Sequence, residues 1–561
     1  MSASTFLSTG LSLRIVTAVG LLAGHGLVGG LFGCSAPAGS PADEAAPAPA
    51  MPDPVGADGV ATAPAPQVIN AHGPDAGVVV PPAPFACEPA ALPSEDVCTV
   101  HEAFGVFVSV SKGSPDGDGT RSAPLDNLDA AITLAKATNR RVYACAENYR
   151  ENLELASGVS IFGYFDCPSW TVNAAHAARV SAAQSPVATA ASITAPTRVE
   201  GLELVAPDAT APGSSSIALR AVGSPALTLV DVKLIAGKGA AGANGVAPVQ
   251  LVEGGRPNGA GALSRMEAGV CTATYGATGC RLVYDAARAG GTSQCVGASG
   301  FDGGPGGVGG RSGIYEPSGT PIYTLVRQPE LGLPSYGTAQ TAQGAGSLDL
   351  AHHGAPGATG VDGVSATSAV GTFSANGFVP ASGSAGTHGA PGQGGGGGRA
   401  LTVNANVVTS KVYGESGSGG GAGGCPGLAG TPGQGGGASI ALFAVDSPLR
   451  IERSELRSSR GGDGGAGTLG SEALPGGAAG SAVRMDALAH GGAGGAGGRA
   501  GVSGHGAGGP SVALAHHGAA PTVVGTTLIA GPGGSGRLAA SAPGRSLTAS
   551  PAGATKQTHA F

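Results

Sequence analysis

The chain has 561 residues, with 104 Gly and 41 Pro, and only 12% of its residues are charged, about half the ~25% usual in globular proteins. The net charge of −7 comes without a Lys/Arg stripe, which excludes nucleic-acid binding by phosphate neutralisation. No glycine run is followed by Gly-Lys-Ser/Thr, which excludes a phosphate loop and a nucleotide partner.

Residues 1–34 are predicted to be an export signal. Arg14 is the only charge, and an apolar stretch runs from Ile15 to Gly33, interrupted by Gly20, Gly24, Gly26, Gly29 and Gly30. Each interior Gly costs a helix about 1 kcal/mol relative to Ala, so a permanent spanning helix is disfavoured. The stretch ends in Leu31-Phe32-Gly33-Cys34, which resembles a bacterial lipobox. The resemblance implies a signal peptide ending at Cys34, a diacylated Cys34 and a membrane partner through that lipid. With Ser35 rather than Asp in the next position, it implies sorting to the outer membrane, with the periplasmic and cell-surface faces both open.

Residues 35–100 read as an Ala/Pro-rich spacer with a short Cys-containing segment. A stretch such as APAPAMPDPVGADGVATAPAPQ buries too little apolar surface to offset its backbone entropy and favours extended polyproline II. Beyond Cys34 the cysteines are Cys87, Cys98, Cys145, Cys167, Cys271, Cys280, Cys295 and Cys425. An even number in an exported chain predicts disulfides, and no C-x-x-C spacing suggests zinc. Pairing sequence neighbours gives Cys87–Cys98, Cys145–Cys167 and Cys271–Cys280, leaving Cys295–Cys425, among 105 connectivities.

Residues 101–237 carry the strongest fold signal. An alternating strand, Val106 to Val110, precedes a turn-rich loop and an amphipathic helix from Pro124 to Ala137. Short strands follow at Val142–Cys145, Asn152–Leu155 and Val159–Phe165. Together with the turn Glu147-Asn148-Tyr149-Arg150-Glu151 and the segment Ser157 to Gly163, they resemble the N-terminal start of the pectate-lyase-like superfamily. The resemblance implies a mainly β fold: a right-handed parallel β-helix, a solenoid with an N-terminal capping helix. It carries no catalytic residue. Asp116 and Asp118 in SPDGDGT lack the closing Glu of an EF-hand and read as an Asp/Gly turn.

An internal repeat recurs at 215–237, 438–458 and 510–531, with a weaker copy at 400–414. Each copy is close to one coil of a stacked array; a β-sandwich of similar strands is the alternative. Residues 238–399 are long, partly irregular glycine-rich inserts, 400–535 further coils with glycine-rich inserts, and 536–561 a disordered tail. Gly recurs at every third position in 239–245, 297–309, 354–363, 414–423, 424–433, 461–470 and 492–504. Polyproline II has three residues per turn, so these inserts are either flexible loops or ordered polyproline-II strands packed together. In glycine content the chain also resembles PGRS proteins, without their N-terminal helical domain, and this implies no more than a surface role.

Candidate chemistry is sparse. Glu200, Glu203, Asp231 and Lys233 form one group. Glu452 and Glu455 form another, alternating with Arg450, Arg453 and Arg457 in the manner of a self-neutralising face. Neither group shows the paired carboxylates of a glycosidase or lyase. His352-His353 and His516-His517 sit in two LAHHGA segments, where neighbours on a strand face opposite ways, so each pair offers one ligand per side. No catalytic residue, metal or cofactor is therefore expected. The expected protein is a non-enzymatic outer-membrane surface lipoprotein with a structural or adhesive role, with surface polysaccharide or matrix as its candidate partner. A carbohydrate-active enzyme or carbohydrate-binding protein is the alternative.

Overall fold

The computed structural model describes residues 87–167, 169–262, 287–311, 314–319, 322–327, 353–400, 416–482 and 489–561. The signal and lipobox with Cys34, most of the spacer, Cys271, Cys280, His352 and the weak repeat copy after 400 lie outside these residues.

The protein is mainly β, and its long sheets are parallel. The chain visits three of them in rotation. The first stacks Gly105–Val108, Arg141–Cys145, Ile161–Asp166, Thr197–Glu200, Leu227–Val230, Arg450–Glu452 and Thr522–Val524. The second stacks Asn148–Tyr149, Ala178–Ser181, Leu202–Val205, Lys233–Ile235, Glu455–Arg457 and Thr527–Ile529. The third stacks Leu153–Leu155, Ala188–Ala191, Ser216–Val222, Ser439–Val445, Ser511–His517 and Thr555–Ala560.

Alternation along each strand turns one residue per step inward, and parallel register stacks like on like. Val142, Ile161, Val199, Leu229 and Ile451 form one buried row. Val180, Leu204, Leu234 and Leu456 form the second, and Ala188, Leu219, Leu442 and Leu514 the third. Full burial of each Leu, Ile or Val is worth about 1.5–3 kcal/mol, so the three rows are the main source of cohesion. The repeat copies 215–237, 438–458 and 510–531 are the segments that place Leu219, Leu442 and Leu514 in register.

The helix Leu128–Thr138 packs against the strands Gly105–Val108, Arg141–Cys145 and Leu153–Leu155 and buries Leu128, Ala131, Ile132 and Ala135. It starts later than Pro124 because Asn127 caps it, its side chain accepting the Ala130 N–H at 2.8 Å. Glu151 accepts the free N–H groups of Leu128 and Asp129. A helix N-terminus leaves such donors unpaired, which accounts for the Glu at the end of the Glu147–Glu151 turn. Tyr149 from the same turn donates its buried hydroxyl to Val108 O at 3.0 Å.

The described glycine-rich segments are hydrogen-bonded runs rather than irregular connections. Residues 416–438 lie at their centre, and their N–H groups rotate among three neighbouring runs. Gly420 and Gly423 donate to Gly307 and Gly304, Gly421 and Gly424 to Gly492 and Gly495, and Gly419 and Ala422 to Ala260 and Pro257, all at 2.7–2.9 Å. Three residues per turn is the pitch of polyproline II, whose backbone groups otherwise go to solvent. Gly is required because the runs nearly touch: a Cβ at Gly420 would fall closer than 3.0 Å to the Gly395 carbonyl. No glycine in 416–438 takes a positive φ. Its missing side chain is used here, and its conformational freedom is not. Among the two readings of the inserts, the described residues are the ordered, packed one.

The C-terminal segment also departs from expectation. Residues 536–561 are not a disordered tail: Ala540–Ala542 and Arg545–Leu547 form a hairpin, and Thr555–Ala560 adds a parallel strand beside Ser511–His517. Opposite the buried Leu514 this last strand carries an exposed Thr558, so the apolar alternation that marks the earlier strands is missing from its sequence.

Candidate functional site

The carboxylates singled out from the sequence lie on the outer faces of the first two sheets, and each meets an arginine. Arg198 Nε lies 2.5 Å from Glu200, Arg179 Nη1 3.3 Å from Glu203, and Arg457 Nε 2.8 Å from Glu455. Asp231 takes two bonds from Arg453, at 2.7 and 3.1 Å. Glu452 is held by Arg450, whose hydrogen bond keeps its carboxyl below the usual range. On the second sheet Arg179, Glu203, Lys233 and Glu455 follow one another in register, alternating in sign. Opposite charges stacked this way satisfy each other. Asp231 and Glu452 both pair with Arg453, at 2.7 and 3.7 Å, and Glu200 lies within its electrostatic reach, so these three gather around a cation, while Glu203 and Glu455 lie on the second sheet.

The histidine pair behaves as strand geometry requires. His516 is buried and His517 faces out, where its Nδ1 lies 3.1 Å from Asp446. His353 Nδ1 accepts the Ala493 N–H at 2.8 Å, holding one glycine run to another. Asp118 Oδ1 accepts the Thr120 N–H at 3.0 Å, as in an Asx turn.

An open groove of about 580 Å³ lies between Gln250–Glu253, Pro257–Asn258 and Leu474–Gly477. Among the described residues, Glu253 is its only charged wall residue. Its carboxylate is already engaged by the N–H groups of Gly255 and Gln294 and by the Ser293 hydroxyl. The groove sits beside the Cys295–Cys425 disulfide, whose Cα atoms are 5.7 Å apart. A second disulfide joins Cys87 to Cys98, with Cα atoms 5.4 Å apart. Both pairings agree with the neighbour rule.

Cys145 and Cys167 depart from it: both thiols are free. The two cysteines are 22 residues apart, and a circuit of that length would stack them on adjacent strands within disulfide reach. The ladder pairs Val142 with Ile161 and, after an irregularity that shifts it by one residue, Cys145 with Phe165, so the circuit is shorter here than the cysteine spacing and Cys167 falls past the strand's end at Asp166. The sulfurs remain neighbours, and Glu147 joins them: the three potential ligand atoms lie within 4.8 Å of one another. Cys145 is fully buried, while Glu147 and Cys167 are half-buried. Burial pushes the Cys145 thiol well up. Burial also works against the Glu147 carboxylate, but hydrogen bonds from Ser111, Ser109 and Val110 outweigh it and leave its pKa lowered. This cluster is the one group of three His, Cys or acidic side chains among the described residues with metal-ligand spacing. Sequence motifs do not reveal it, since its members come from two circuits.

No protein-family model, curated protein or solved structure matches this chain.

Proposed function

We propose that the chain is an exported, non-enzymatic surface protein. In this reading the three parallel sheets are the sides of a right-handed β-helix, and the glycine bundle is a rigid side slab that presents a repetitive surface. The observation that carries it is the continuous lateral hydrogen bonding of the 416–438 run, in which backbone is spent on rigidity. The carboxylates in reach of solvent are spent on arginine ladders as well. A lipid on Cys34 would tether this body through the Ala/Pro spacer to the outer membrane, with surface polysaccharide or matrix as its partner.

Surface biotinylation of intact cells, followed by glycan-array binding with the purified protein, tests the reading. Biotinylated protein, palmitate labelling lost in Cys34→Ala, and no unsaturated uronate released from acidic polysaccharides are expected. Uronate release abolished by Glu203→Gln or Asp231→Asn would overturn it in favour of a carbohydrate-active enzyme.

A further inference from the structure

We propose that Cys145, Cys167 and Glu147 form a binding site for a thiophilic divalent cation of the zinc type. The two thiols and the carboxylate come from consecutive circuits and converge to within 4.8 Å of one another. Tetrahedral zinc, with Zn–S near 2.3 Å and Zn–O near 2.0 Å, sets its ligand atoms roughly 3.3–3.8 Å apart. Small side-chain rotations therefore close the cluster on an ion.

Glu147 is aimed in advance. Its Oε2 accepts from Ser109 Oγ at 3.1 Å, Val110 N at 2.6 Å and Ser111 N at 3.2 Å, while Oε1 accepts from Ser111 Oγ. Oε1 keeps a lone pair free for a metal. Outer partners of this kind fix a ligand's orientation and raise metal affinity.

The other two cysteine pairs among the described residues are bonded, whereas this pair is offset in register and stays as thiols. Binding releases both thiol protons and gives three anionic ligands, with a water in the fourth position. Cys145 lies on the buried side, and the half-buried Cys167 and Glu147 provide the way in. A cation here joins the strand Arg141–Cys145 to the end of Ile161–Asp166 at the point where their ladder breaks. It also shields the thiols from the oxidation that closes the other pairs.

The test uses the full chain, purified without reductant and stripped with a mild chelator, with free thiols counted by alkylation. Titration with Zn2+ should show one ion per chain, lost in Cys145→Ser/Cys167→Ser and bound roughly ten- to a hundred-fold more weakly in Glu147→Gln. Loading the unmodified chain with Co2+ should give sulfur-to-cobalt charge-transfer absorption and the visible bands of a tetrahedral site. That readout does not depend on any variant folding. A linked Cys145–Cys167 peptide in the purified protein, no Zn2+ uptake by chains with both thiols free, or uptake retained in the double variant would each overturn the proposal.

Discussion

Asp231 and Arg453 are 222 positions apart in sequence and face each other through a two-pronged ion pair, at 2.7 and 3.1 Å. Both take the left-handed conformation, with φ of 49° and 47°, and each directly follows a strand of the first sheet, Leu227–Val230 and Arg450–Glu452. They are the same corner of two successive circuits. Between them the chain leaves the second sheet after Lys233–Ile235, builds much of the glycine bundle, and returns to the third sheet at Ser439–Val445 without losing register.

The pair marks this continuity but contributes little to it. Both side chains are about half exposed, where ion pairs are worth about 0–1 kcal/mol. Asp231→Ala should lower unfolding stability by less than about 1 kcal/mol in denaturant titration. Leu442→Ala, in a fully buried row, should cost about 2–5 kcal/mol. An Asp231→Ala effect matching that of Leu442→Ala would mean that the corner, and not the apolar rows, holds the circuits together.

Gly420→Ala should break the bundle locally. The added methyl has no room beside Gly395, and overpacking of this kind typically costs about 1–3 kcal/mol. Hydrogen exchange gives the direct reading: the amides of Gly420 and Gly423, bonded to Gly307 and Gly304, should lose protection, while those of Leu219 and Leu442 keep it. Unchanged exchange at Gly420 and Gly423 would contradict the packing of the central run.

The parallel strands and the capping helix are legible in the sequence because apolar side chains encode them: Leu219, Leu442 and Leu514 recur with the repeat copies. The glycine period is legible too, but the choice of neighbouring run is not. The bonds from Gly419, Gly420 and Gly421 go from backbone to backbone, so no side chain records that their acceptors are Ala260, Gly307 and Gly492. Some acceptors along these runs do leave a trace. Asn244, Asn258 and Thr387 each accept an N–H from a run with which they pair, at 2.7–2.8 Å. The cluster of Cys145, Glu147 and Cys167 was hidden because Cys167 lies beyond the end of its strand, outside the ladder that pairs Cys145 with Phe165, so strand spacing alone does not place it beside Glu147.

Removing the Cys295–Cys425 bridge should loosen the bundle more than the sheets. The bridge spans 130 residues, a loop for which chain entropy predicts about 5 kcal/mol. It packs with Leu251 and Leu428 in a small apolar cluster of its own. Cys295→Ala/Cys425→Ala should therefore bring the first exchange losses to residues 416–438, with the amides of Val199 and Leu229 still protected. Simultaneous loss in both regions would show that bundle and sheets unfold as one unit.

Acid should weaken the bundle through His505. Its side chain is buried, and its Nδ1 accepts the Gly467 N–H at 2.7 Å, which requires the neutral ring. Burial first, and the nearby Arg537 second, lower its pKa below the ordinary 6.5, against a smaller opposing influence of the Leu538 backbone. The unfolded chain therefore takes up a proton at a higher pH than the folded one. The stabilising effect is fully present above pH 6.5 and is lost as the pH falls from there through the folded pKa. His559 is shifted in the same direction, by burial and then by Lys556 and His516, so the two histidines must be separated. His505→Gln keeps an acceptor for Gly467 without a titrating ring. Denaturation midpoints at pH 7.5 and pH 5 should differ less in His505→Gln than in the unmodified chain, and less again when His559→Gln is added. An unchanged pH dependence in His505→Gln would assign the acid sensitivity to His559 or to groups outside the bundle.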